Sequence, residues 1–101
     1  MVKHIILWTL NPDYSEQEKN DIKQRIKEGL EALVGQVPGL TACKVHIDGR
    51  LATSNCDLML DSTLESAEAL AGYAKHPAHV AVADSIVRPH TVQRVCLDFA
   101  F

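Results

Sequence analysis

The chain has 101 residues, of which 47% are hydrophobic and 23% charged, and its net charge is −3. That length makes a single domain, able to bury roughly two-thirds of the surface its unfolded chain would expose. The ten basic residues are scattered, which argues against a nucleic-acid footprint, and no apolar run approaches a membrane span. The most basic run interleaves Lys19, Lys23, Arg25 and Lys27 with Glu and Asp, the pattern of a solvated helix face. Four consecutive strong hydrophobes, Ile5 to Trp8, are too few for a signal-peptide core. Cys43, Cys56 and Cys96 are odd in number and widely spaced. They are expected to be buried free thiols on strands, in a protein of the reducing cytoplasm.

Residues 2–10 are rich in β-branched and aromatic side chains and predict a strand. Ile5, Ile6, Leu7 and Trp8 are apolar at successive positions, so both faces of that strand must be covered. Asn11-Pro12-Asp13 is a turn. Ser15 and Glu18 form a capping box. Ile22, Ile26, Leu30, Leu33, Val34 and Val37 follow at helical spacing and predict a helix running to about Gly35. Gly29 inside it costs about 1 kcal/mol against Ala, a cost that close packing on the sheet would offset.

Residues 40–47 predict a second strand, with Cys43, Val45 and Ile47 on one face and Ala42, Lys44 and His46 on the other. A polar loop follows, and residues 56–61 predict a third strand, again apolar at successive positions. Asp57 in that strand needs a partner, and Arg94 is the expected one. Ser62-Thr63-Leu64-Glu65 has the form of a second capping box. Leu64, Ala67, Leu70, Ala71 and Ala74 supply the stripe of a second helix. A short helix opens at Pro77, carries Val80, Val82, Ala83 and Ile86, and stops at Pro89. Residues 91–100, with Val92, Val95, Leu97 and Phe99, predict the last strand.

The order β-α-β-β-α-β is the ferredoxin-like α+β pattern, with strands one and three in the middle of a four-stranded antiparallel sheet. Two main helices cover one face of such a sheet. The other face still carries large apolar side chains, and the same face of a second copy is the simplest cover. The expectation is a homodimeric α/β barrel.

Tyr73-Ala74-Lys75-His76-Pro77-Ala78-His79 concentrates the usable chemistry: two imidazoles and a phenol that donate, accept and transfer protons near neutral pH. His76, just before Pro77, has the position of a helix-junction cap. His4 faces with Ile6 and Trp8, and Trp8 is expected in a pocket wall or in the dimer core. A metal reading is disfavoured. Pro77 breaks the helix that would align His76 with His79, and the nearest further donors, Asp84 and His90, do not make a clear third ligand.

The residues that carry these features also carry a family resemblance. Val2-Lys3-His4-Ile5-Ile6, Pro38-Gly39-Leu40, Cys56-Asp57-Leu58-Met59-Leu60 and above all Tyr73-x-x-His76-Pro77-x-His79 resemble the stress-responsive A/B barrel (Dabb) family across essentially the full chain. The resemblance implies a dimeric barrel with a cavity between sheet and helices in each subunit. It also implies chemistry like that of plant polyketide cyclases, an intramolecular aldol condensation needing no metal or organic cofactor. His79 then matches the general base, Tyr73 the phenol that orients it, and His4 a pocket histidine, with Trp8 and His76 as further pocket candidates. Two positions depart from the cyclase pattern. The first helix has no tyrosine beyond Tyr14 in its leading turn, and strand three has Asp57-Leu58 where the cyclase has a histidine. The expected function is a cofactor-independent cyclase, isomerase or lyase acting on a small, largely apolar carbonyl compound; the alternative is a non-catalytic ligand-binding or stress-protection barrel.

Overall fold

The computed structural model describes all 101 residues. Strand β1 (Val2–Leu10) is followed by α1 (Glu16–Glu31), β2 (Leu40–His46), β3 (Leu58–Leu64), α2 (Ala67–Lys75), α3 (Pro77–Val82) and β4 (Thr91–Ala100). The sheet order is β2-β3-β1-β4, and every neighbouring pair is antiparallel. The fold is therefore the ferredoxin-like one, with strands one and three central. No helix is long and apolar enough to cross a membrane.

The pleat of β1 decides which side chains meet the helices. Val2, His4, Ile6, Trp8 and Leu10 are buried, while Lys3, Ile5, Leu7 and Thr9 are only half-covered. The helix-facing set packs with Leu58, Leu60 and Leu64 of β3, Val45 of β2, and Ile22, Ile26 and Leu30 of α1. The opposite face carries Ile5 and Leu7 beside Leu97 and Val95 of β4. Val95 is 53% exposed, Leu97 62% and Phe99 44%, so this apolar surface lies bare in the single chain.

Several elements end elsewhere than the pattern predicts. The α1 capping box forms as expected, with Ser15 accepting from the Glu18 amide and Glu18 accepting from the Ser15 amide. The helix closes at Glu31 rather than near Gly35. Beyond it the chain tightens into turns, with Leu33 N–H donating to the Leu30 carbonyl and Gly35 at a φ of 91°. Leu33 and Val37 stay buried, but Val34 is turned out and exposed.

The second capping box does not exist. Ser62, Thr63 and Leu64 continue β3 opposite His4, Lys3 and Val2, and the Ser62 hydroxyl donates to the His4 carbonyl at 2.9 Å. Ladder pairing with a central strand outweighs a local cap signal, and Ser66 caps α2 instead, accepting from the Ala69 amide. With the helix starting later, its packed side becomes Ala69, Leu70 and Tyr73, while Ala67 and Ala71 face outward.

Between α3 and β4 the backbone widens into a π-turn over Ala83–Val87 and then tightens into a 3-10 turn over Arg88–His90. Gly29 serves this segment rather than the sheet: a Cβ there would lie 2.9 Å from Ile86 Cδ1 and 3.0 Å from Val82 Cγ1. The three cysteines are free. Cys56 precedes β3 instead of lying on it, and Cys96 is exposed rather than buried. Burial and the nearby Glu31 carboxylate push the half-buried Cys43 thiol up to about 12.

Candidate functional site

A cavity of about 350 Å³ lies between the sheet and the helices. β1 contributes His4, Ile6 and Trp8, and β3 contributes Leu60. α2 contributes Leu70, Tyr73 and Ala74, and α3 contributes His79. The segment after α3 adds Ala83, Val87 and Arg88, and β4 closes the wall with Thr91 and Arg94.

The Tyr-x-x-His-Pro-x-His stretch divides its labour. His76 sits at the junction of α2 and α3, where its Nδ1 accepts from the Ala78 amide at 3.1 Å. It does not line the cavity, which corrects its assignment as a pocket residue. Ending one helix and starting the next commits its ring to the Ala78 amide, because helix N-termini leave backbone donors unpaired. Pro77 at the first position of α3 then sets the turn, and one turn later His79 stands over Tyr73. Their ring centroids are 4.2 Å apart, tilted by 36°. His79 Nδ1 lies 3.4 Å from the Ala74 carbonyl. A carbonyl only accepts, so Nδ1 carries the hydrogen and Nε2 keeps the lone pair. Partial burial pushes the His79 imidazole below its ordinary pKa, against the opposing pull of the Ala74 carbonyl, and the charges of Arg88, His4 and Arg94 add to the lowering. The ring is therefore neutral at pH 7.

Tyr73 is buried, and its hydroxyl has no hydrogen-bond partner in the chain. Burial also raises its pKa, so it remains a phenol and a donor. His4 meets the edge of the same ring at 5.9 Å between centroids. The tyrosine is thus flanked by both imidazoles. His4 is buried at 6% exposure and is joined through Nδ1 to the Asp98 carboxylate. Cys96 Sγ lies 3.8 Å from His4 Nδ1 and 3.5 Å from Asp98 Oδ1. These three side chains form the chain's one group of metal-type donors, with ligand atoms within 4.8 Å of one another. The donors near His79 do not gather. His90 is turned to the Ile86 carbonyl and Asp84 is paired with Arg88.

Two features escaped sequence reasoning. Asp57 is held by Arg50, 3.5 Å away, and by the Leu10 amide at 2.7 Å, not by Arg94. It lies at the opposite end of the ladder from the His4–Asp98 pair, where the loop before β3 folds back on β1. Arg94 is released to line the cavity, and Asp98 to hold His4. The alternation of β4 could have shown this: if Val95, Leu97 and Phe99 face one way, Arg94, Cys96 and Asp98 face the other.

The sequence matches the family model of the Stress responsive A/B Barrel Domain (Dabb) over residues 2–101. The chain belongs to that family. Among solved structures it is similar to a dimeric ferredoxin-like protein of unknown function from Bacteroides fragilis, at 29% identity and a TM-score of 0.91, covering 99% of this chain and 95% of that one. A Dabb family protein from Mesorhizobium loti shares the fold at 16% identity and a TM-score of 0.74, covering 98% and 94%. So does a hydroxynitrile lyase from Passiflora edulis, at 17% identity and a TM-score of 0.71, covering 97% and 90%. No curated protein matches the chain significantly.

Proposed function

We propose that the chain is a homodimeric Dabb barrel whose cavity binds a small, largely apolar carbonyl compound and abstracts a proton next to the carbonyl. One observation carries this reading: a neutral imidazole, His79, is stacked on a phenol, Tyr73, whose hydroxyl has no partner, and both line one cavity with His4. His79 Nε2 takes the proton. Tyr73, still protonated, donates to the enolate oxygen as charge develops there. His4, its ring fixed by Asp98, offers Nε2 on the far side of the tyrosine. Aldol cyclisation and carbonyl isomerisation share this first step, and the fold is one on which a lyase is also built.

The test is deuterium incorporation at the methyl group of acetophenone in D2O, followed by NMR. Wild type accelerates exchange over buffer, and His79→Ala lowers that acceleration by about 100-fold or more, the usual contribution of a positioned base. Exchange at the buffer rate, or exchange indifferent to His79→Ala, overturns the reading. The alternative, a binding barrel without turnover, draws on Tyr14. That tyrosine is turned to His90 at 5.9 Å and does not line the cavity, so the first helix supplies no phenol. Saturable binding without exchange would select it. The dimer reading is supported by the bare apolar face of β1 and β4 and by the dimeric state of the Bacteroides fragilis relative.

A further inference from the structure

The cavity is electrically one-sided. Arg88 and Arg94 line it, and no aspartate or glutamate does, in a chain whose net charge is −3. Arg88 is answered by Asp84 one helical turn earlier. Asp98 is engaged by His4. Arg94 takes part in none of the chain's ion pairs, although it stands on β4 directly across from Trp8. The adjacent Cys96 brings no countercharge, because partial desolvation and the Asp98 carboxylate raise its pKa against the opposing pull of Arg94. The positive field of Arg94 reaches both Tyr73 and His79. Around this cation the walls are apolar: Ile6, Trp8, Leu60 and Leu70.

A guanidinium without a carboxylate partner, set beside apolar walls, fits a planar carboxylate through two parallel N–H···O bonds. We propose that the cavity selects small monocarboxylates with an apolar, aromatic or branched body, Arg94 anchoring the carboxylate and Trp8 flanking the body. This rests on the cavity being the binding site, and it adds that the ligand is an anion. A volume of about 350 Å³ is at the low end for ligand pockets, the size of a compact acid rather than an extended chain.

Trp8 is the only tryptophan and lines the cavity, so its fluorescence reports occupancy. The full-length protein is titrated with phenylacetate, phenylpyruvate and phenylacetamide. The acids are expected to quench saturably. The amide, which keeps the shape and loses the charge, is expected to bind at least about tenfold more weakly, the loss of one charge-assisted contact. Arg94→Gln closes the gap in affinity between phenylacetate and phenylacetamide, and Arg94→Lys is intermediate. Equal affinity for acid and amide in wild type overturns the anion inference, with no variant needed, while the pocket reading stands. Acid binding indifferent to Arg94→Gln overturns the anchor. Absence of quenching by all three probes overturns the inference and the pocket together.

Discussion

His4 and Asp98 stand directly opposite each other on β1 and β4, and their side chains meet across that register. An antiparallel ladder places such partners close enough for direct contact. A carboxylate only accepts, so the contact puts the imidazole hydrogen on Nδ1 and leaves Nε2 free. In its neutral form, His4 in the wild type should show a protonated Nδ1 and a bare Nε2 in long-range 15N–1H correlation spectra. Asp98→Ala should mix the two tautomers. An unchanged spectrum in the variant would mean that Asp98 does not set the tautomer.

The pH dependence of stability follows from His79. Burial lowers its folded pKa below the ordinary 6.5, so between those two values the unfolded chain binds more protons than the folded one. Stability therefore rises with pH across that window, levels off above it, and is lost as pH falls. Urea midpoints measured from pH 5 to pH 8 should rise and then flatten in wild type, and His79→Gln should remove part of the rise. A midpoint that falls with increasing pH over this window would contradict the burial argument.

Tyr73→Phe separates stability from function. The hydroxyl is buried without a partner, and removing an unsatisfied group relieves a desolvation cost of about 1–3 kcal/mol. Thermal unfolding should show the variant at least as stable as wild type, while deuterium exchange falls about tenfold or more. A destabilised variant would reveal a hydrogen bond absent from the described geometry.

Gly39 has a φ of 83°, and a Cβ there would lie 2.5 Å from the Ala69 Cβ on α2. Left-handed backbone costs about 1–2 kcal/mol and overpacking about 1–3 kcal/mol, so Gly39→Ala should destabilise by roughly 2–5 kcal/mol in chemical denaturation. Pairing it with Ala69→Gly should recover the steric part and leave the backbone part, appearing as a coupling energy in a double-mutant cycle.

Leu97→Asp tests the bare face. Leu97 is 62% exposed in the single chain, so the substitution should cost the isolated fold little. In a dimer packed through that face it would bury an unpaired charge. Sedimentation should find wild type as a dimer and the variant as a monomer at micromolar concentration. A monomeric wild type refutes the dimer.

Much of this architecture is readable from periodicity alone. The alternation of β1 and the stripe of α1 are tertiary demands repeated over many residues, so they leave strong signals. The failures fall where one local signal competes with a distant one. Ser62 looks like a cap until its strand partner His4 is known. Asp57 looks like a partner for Arg94 until the loop carrying Arg50 folds back. The residues of the site divide in the same way. His79 and Tyr73 stand out through their motif, whereas the His4–Asp98 and Trp8–Arg94 juxtapositions join positions some ninety residues apart and depend on the register of β1 with β4.

That register gives β4 a parity. From residue 94 to 99 its even positions face the helices, with Arg94 lining the cavity and Asp98 holding His4, and its odd positions, Val95, Leu97 and Phe99, form the apolar face. Substitution can tune either set alone. Losing or gaining one residue within the strand exchanges them from that point on, putting charge on the apolar surface and hydrocarbon beside the imidazoles. Length in β4 is therefore more constrained than composition, and the two surfaces stand or fall together under insertion and deletion.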